Sequence, residues 1–410
     1  MFRNGDASFT RTNFCTSEMI KVDDVMKRKG RNAKEQLEQA CLQGNMYIVK
    51  RILKQQNVHN VNLYLEYACR GGHVDIVNLM IDRAGPQRGA DYWNRGLEGA
   101  CKGGHVDIAN LMIERGANYW NYGLYGACEG GHRDLAMLMI EMGANDWHGG
   151  LEHAREGGHR DLVNLMIERG AHWSCGLRGA CLGGCFDMVK FIINKYGPQR
   201  GADDWNGGLC HACLAGHYDL VILMIERGAN DLNGGLKNAC KGGHRDIALL
   251  MIERGAITWN NGLVAACVGG HFDVAVLMIE RGATIWNEGL YGACEQGHCD
   301  LVMLMVERGA DDWNAGLHYA CQGGHLDVVK LMIGLGANDW NYGLYGACLG
   351  GCFDLAMLMI DHEGLQRGAN DWRLGLSGAK AGKHHEGRNC DLVNLMIRHG
   401  ATDGVVMRVF

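Results

Sequence analysis

Polar and apolar positions along this chain fall into a block that returns about every 27 residues. In the copy at Gly123–Gly149, Leu124, Ala127 and Cys128 are spaced i, i+3, i+4, which is one face of a short helix. Gly130-Gly131 interrupts that face. Leu135, Ala136, Leu138, Met139 and Ile140 then make a wide apolar surface, as on a helix packed against more than one neighbour. Asp134 stands at the start of this second helix, near free amide groups and the positive end of the dipole, and Gly143 closes it. Each block therefore predicts helix, turn, helix and loop.

The small Ala of the first helix marks the period. It recurs at Ala40, Ala68, Ala100, Ala127, Ala154, Ala180, Ala212, Ala239, Ala266, Ala293, Ala320, Ala347 and Ala379, with gaps mostly of 27 and three of 32. A fixed period of this size predicts a solenoid, in which each helix pair buries its face only by stacking on the next. The predicted fold class is all-α, with about thirteen short repeats over residues 37–401. Residues 1–36 do not fit the block and read as a polar, basic segment with a capping helix. Residues 402–410 form an apolar tail. Three repeats carry five extra residues, around Gly85-Pro86-Gln87-Arg88, Gly197-Pro198-Gln199-Arg200 and Gly364-Leu365-Gln366-Arg367. Insertions in a solenoid map to loops on one face.

The run Gly158-His159-Arg160-Asp161-Leu162-Val163-Asn164-Leu165-Met166-Ile167-Glu168-Arg169-Gly170-Ala171 resembles the second helix and flanks of an ankyrin repeat. Leu236–Cys240 resembles that family's Leu-His-x-Ala-Ala. The resemblance implies a non-catalytic protein-binding scaffold. It also implies that the Cys slot is core and that the turn His bonds backbone. The family's unit is about 33 residues, and the missing six fall where it builds a β-hairpin. Little or no hairpin and a shallow groove are therefore expected. Units shortened in this way resemble those of large DNA viruses.

Composition sharpens this picture in three places. The formal charge of −6 conceals 11 Lys/Arg against 6 Asp/Glu in the first 55 residues, which leaves −11 for the rest. An acidic solenoid is a poor match to phosphate backbones, so no nucleic acid is expected. Of 18 cysteines, eleven occupy one repeat slot: Cys41, Cys69, Cys101, Cys128, Cys181, Cys213, Cys240, Cys267, Cys294, Cys321 and Cys348. Equivalent slots in stacked helices lie about 8–10 Å apart, beyond the roughly 7 Å a disulfide spans. These thiols read as buried hydrophobes in a reducing compartment, the cytoplasm or a host cytoplasm. No apolar run reaches the ~18 residues of a membrane span, so no membrane is expected.

Candidate chemistry is sparse. Cys and His lie four apart in most repeats, as in Cys240 and His244, which looks like a metal pair. Arg155 replaces one such Cys, however, and Cys185 and Cys352 replace two such His. Neither a metal, a cofactor nor a catalytic residue is expected. The alternatives are a metal- or ligand-binding protein using these slots, or a nucleic-acid binder. Tryptophans follow Gly-Ala at nearly constant offset, and Leu232 fills the one gap. A leucine packs but does not stack on a base or sugar, so the ladder reads as loop cover.

Function in a solenoid sits where the pattern relaxes. The slot after the Cys includes Lys241 and Val268, and the loop and first-helix positions include Tyr122, Tyr125, Tyr291, His318, Tyr342 and Tyr345. These are candidate partner contacts, because aromatic side chains often anchor interfaces. On the second helix, one slot is Asn110, Asn164, Lys190 or Lys330 in some repeats but Ile222, Leu249, Val276 and Met303 in repeats seven to ten. Four adjacent apolar residues on an outer face predict a contact patch for a partner or for a second copy of the chain.

Overall fold

The computed structural model describes residues 33–55, 62–85, 89–197, 201–361, 371–382 and 388–401. Within them lie 26 helices in thirteen pairs and no strand. The expected N-terminal segment and apolar tail lie largely outside the described residues, as do Pro86–Arg88, Pro198–Arg200 and the third insertion. The first described helix, Ala33–Gln43, begins four residues ahead of the expected boundary at 37.

The helices group into two compact units. One takes in residues up to Gly176 together with Lys190–Ile192, and the other Leu177–Val189 together with the chain from Ile193. Both follow one packing rule. Neighbouring first helices lie along one another, each second helix packs on its own first helix, and neighbouring second helices touch only lightly.

The pair Trp120–Gly130 and Arg133–Glu141 shows why the block folds this way. Leu124, Ala127, Cys128, Leu135, Ala136 and Met139 are buried. Short side chains set the spacing of the first helices. A Cβ at Gly126 would overlap the Glu98 carbonyl oxygen of the preceding first helix, so only hydrogen fits there. At the end of the second helix, the Ala144 amide donates to the Met139 carbonyl at 2.9 Å and the Gly143 amide to Ile140 at 3.0 Å. These bonds satisfy carbonyls that the helix leaves open.

Two details differ from the expectation. The second-helix N-cap is His132, without a side-chain cap bond, and Asp134 is the second helical residue. Its carboxylate acts on the dipole rather than as a cap. The capping Asp lies instead before the first helix: Asp146 accepts from the Gly149 amide at 3.0 Å, Asp231 from Gly234 at 2.8 Å and Asp312 from Ala315 at 3.1 Å. The first two insertions also reach into regular structure, since the first helices that follow them, Ala90–Gly103 and Ala202–Ala215, are 14 residues long against 11 for Trp120–Gly130.

Candidate first-helix interface

Most repeated residues that could carry chemistry are taken up by the framework. The Cys slot is fully buried at Cys128, Cys240 and Cys294. Burial pushes Cys128, Cys240, Cys267, Cys294 and Cys348 up to about 12, so they stay protonated thiols. The His that follows lies in the turn and donates to the preceding repeat. His244 Nε2–H meets the Leu214 carbonyl at 3.1 Å, His271 the Lys241 carbonyl at 3.1 Å and His73 the Leu42 carbonyl at 3.0 Å. The imidazole lies over the previous turn: a Cβ at Gly104, whose φ is +79°, would overlap His132. Thiol and imidazole thus serve different neighbours. Among the described residues no group of three or more His, Cys, Asp or Glu could hold a metal ion.

Eight tryptophans open a first helix, and Trp93 and Trp205 lie a turn inside theirs. Trp93, Trp173 and Trp205 are buried and the other seven half-buried. Trp120 lies along the end of its own repeat, with Cδ1 at 3.7 Å from a Cβ placed on Gly143. The asparagine that follows seven of the ten tryptophans went unread in the sequence. Asn94 Oδ1 accepts from the Asn118 and Tyr119 amides at 2.8 and 2.9 Å. Asn206 accepts from Asn230 and Asp231 at 2.8 and 2.9 Å, and Asn314 from Asn338 and Asp339 at 2.8 and 2.9 Å. Asn233 does so where Leu232 replaces the tryptophan, accepting from Ile257 at 2.9 Å. This ladder satisfies the amides of the shortened loop, work that a hairpin's strand bonds would otherwise do. The available signal was the recurrent Trp-Asn pair, in most cases 24 residues before the loop it clamps.

What remains is the face of the first helices that turns away from the second helices. Tyr291 donates to the N-cap carboxylate of Asp312 at 2.7 Å and stacks on Tyr319 at 5.2 Å. His318 stacks on Tyr342 at 4.1 Å and on Tyr345 at 5.5 Å, and its Nδ1 meets the Tyr342 carbonyl at 3.1 Å. Five rings from three successive first helices, Trp286–Gln296, Trp313–Gly323 and Trp340–Leu349, therefore form one cluster. Tyr291, Tyr319, Tyr342 and Tyr345 are half-buried. His318 departs from its expected role as a surface contact: it is only 5% exposed and supports Tyr342 from beneath. Burial lowers its pKa, so it is neutral near pH 7. Burial and then the Asp312 bond raise the Tyr291 phenol, so it stays a donor.

The other compact unit holds a related group. Tyr125 donates to Asp146 and stacks on His153 at 5.0 Å, and Tyr122 lies edge-on to Tyr125 at 6.2 Å. The Tyr125 bond holds the Asp146 carboxyl below the usual range. Tyr122 and Lys241 are exposed and Val268 is half-buried, and neither Lys241 nor Val268 joins an aromatic cluster. On the second helices, Ile222, Leu249 and Val276 are half-buried and Met303 is 39% exposed. Met137 and Met357 occupy the same slot in other repeats, so the apolar choice is not confined to repeats seven to ten.

The ankyrin repeat family model matches residues 312–342, the middle of the aromatic cluster. No curated protein matches the chain. Among solved structures, the pentatricopeptide repeat protein PPR10 in complex with an 18-nt psaJ RNA element is 14% identical, with a TM-score of 0.35. PPR10 from maize is 15% identical, with a TM-score of 0.30. Each comparison covers 89% of this chain and 63% of the other, so the chain spans less than two thirds of the structures it matches. No described helix is long and apolar enough to cross a membrane. The family match and the thirteen successive helix pairs agree: the chain is an ankyrin-like repeat protein.

Proposed function

We propose that this repeat scaffold is a non-catalytic adaptor that grips a protein partner along the face of its first helices. The observation that carries this reading is the half-buried ring cluster of Tyr291, Tyr319, Tyr342 and Tyr345. These rings are held by stacking and by the Asp312 bond, so little side-chain freedom is lost when a partner covers them. Large rigid aromatics are the commonest energetic anchors of protein interfaces. The alternatives lack comparable support. The Cys and His slots are occupied by core packing and backbone bonds, and a nucleic acid would need a basic track beside the rings. The free buried thiols favour a reducing compartment such as the cytoplasm.

Affinity capture from cell lysate tests the reading. The Tyr319→Ala/Tyr342→Ala double variant should lose discrete protein partners that the parent retains, with its helical circular dichroism unchanged. An identical captured set would sink it.

A second reading concerns Ile222, Leu249, Val276 and Met303, which line successive second helices. Self-association through this row predicts that Leu249→Glu with Val276→Glu shifts sedimentation toward monomer. If the parent already sediments as a monomer, this reading is wrong.

A further inference from the structure

The charge on the first-helix face differs between stretches of the chain. Several other first helices carry cations there, such as Arg70, Arg95, Lys102, Lys237 and Lys241, although Trp120–Gly130 and Ala202–Ala215 carry none. The four successive first helices Trp259–Gly269, Trp286–Gln296, Trp313–Gly323 and Trp340–Leu349 contain no Lys or Arg. They carry Glu288 and Glu295, and Asp312 and Asp339 cap two of them. His318 adds no charge near pH 7, because burial lowers its pKa.

This acidic character lies on the same surface as the rings. Glu288, Tyr291 and Glu295 are spaced i, i+3, i+7 on one helix, and His318 and Gln322 are spaced i, i+4 on the next. At the far end of these helices an open cleft of about 480 Å³ is lined by Glu295, Gln296, Gln322, His325 and Leu349, among others. Four first helices end at this cleft, the fourth being Trp372–Ala381 with Lys380 in its last turn, and their last carbonyls present partial negative charge to it. The Glu295 carboxylate is held in place by a 3.1 Å bond from Gln322 Nε2.

We propose that the face running from Tyr342 and Tyr319 to the Glu295 cleft docks a basic segment of a partner protein. One Arg or Lys lies over the tyrosine rings, and a second enters the cleft against Glu295. The inference rests on the adaptor reading above and adds the chemistry of the partner. A guanidinium or ammonium is drawn to the face of an aromatic ring and more strongly where that ring is partly desolvated. A carboxylate beside helix C-termini is a complementary second anchor. Phosphate-bearing partners find no cation on the helices from Trp259–Gly269 to Trp340–Leu349, and Arg373 and Lys380 stand only on the next one, so nucleic acid is disfavoured over the rings.

A displayed library of random twelve-residue peptides, panned against the full chain, tests the proposal. Recovered peptides are then measured by fluorescence anisotropy against the parent and against the Glu295→Lys and Tyr342→Ala variants. The proposal expects Lys/Arg-enriched peptides whose affinity falls about tenfold or more in each variant and weakens as salt rises. Circular dichroism of each variant excludes unfolding, and Glu295→Gln gives an intermediate loss. Neutral or acidic peptides that still depend on Tyr342 would overturn the basic-segment proposal and leave the adaptor reading standing. Peptides insensitive to both variants, or no enrichment at all, would overturn both. Tighter binding of a single-stranded RNA oligonucleotide that depends on Tyr342 would also overturn both.

Discussion

Asn94 gives the sharpest test of how the shortened repeat holds together. It is 3% exposed, and its Oδ1 takes the amides of Asn118 and Tyr119 at 2.8 and 2.9 Å. Asn94→Ala removes both acceptor contacts at once. Each buried donor left without a partner costs about 1–3 kcal/mol. The loop residues themselves are exposed, so water entering the gap recovers part of that cost. A total loss of about 2 kcal/mol is expected. Asn94→Asp keeps an acceptor for both amides and should lose less. Urea unfolding gives the stability change, and hydrogen exchange gives its location. The Asn118 and Tyr119 amides should lose protection before the helices on either side do. Wild-type exchange at those amides in Asn94→Ala, with an unchanged urea midpoint, would refute the ladder as a structural clamp.

Other outcomes follow from the same geometry. Ala266 is fully buried between helices, so Ala266→Leu should overpack the layer and lower stability by ~1–3 kcal/mol, visible in the urea midpoint. Burial, and then the Glu66 charge, push Glu98 up to about 7 from an ordinary 4.5. A raised carboxyl favours the folded state only while protonated, so its contribution is lost as pH rises from 4.5 through about 7. Glu98→Gln should therefore match the parent at pH 4 and exceed it in thermal stability at pH 8; the reverse order would refute this. Cys185 and Cys299 are exposed, whereas Cys128 and Cys240 are buried thiols. Iodoacetamide at pH 8 followed by peptide mapping should label the first two within the native protein and the last two only in urea.

The fold was legible because each framework slot is restated in many repeats. A buried Cys that becomes Arg155 or Lys380, or a turn His that becomes Cys352, identifies its slot as structural through the exception. The asparagine ladder was not legible by the same route. Asn94 acts on a loop 24 residues away, and in the sequence it is one more polar residue beside a turn. N-cap and first-turn positions lie two residues apart and share a preference for carboxylates, so the sequence put Asp134 at the helix start without telling which of the two it fills. The candidate face was legible in part. Tyr291, Tyr342 and Tyr345 could be singled out as aromatics on a polar surface, but Tyr319 was missed. Its value depends on Tyr291 of the preceding repeat lying beneath it. His318 looked like a surface residue until the Tyr342 ring of the following repeat covered it. Side chains that matter through the next repeat are hidden from a reading made one repeat at a time.

The central claim is that the first helices grip a protein while the second helices brace them. Hydrogen-exchange mass spectrometry of the full chain, alone and with the protein it captures, tests this most directly. The account predicts added protection concentrated in Trp286–Gln296, Trp313–Gly323 and Trp340–Leu349, with little change in Phe272–Glu280 or Cys299–Arg308. Protection confined to those second helices would contradict it.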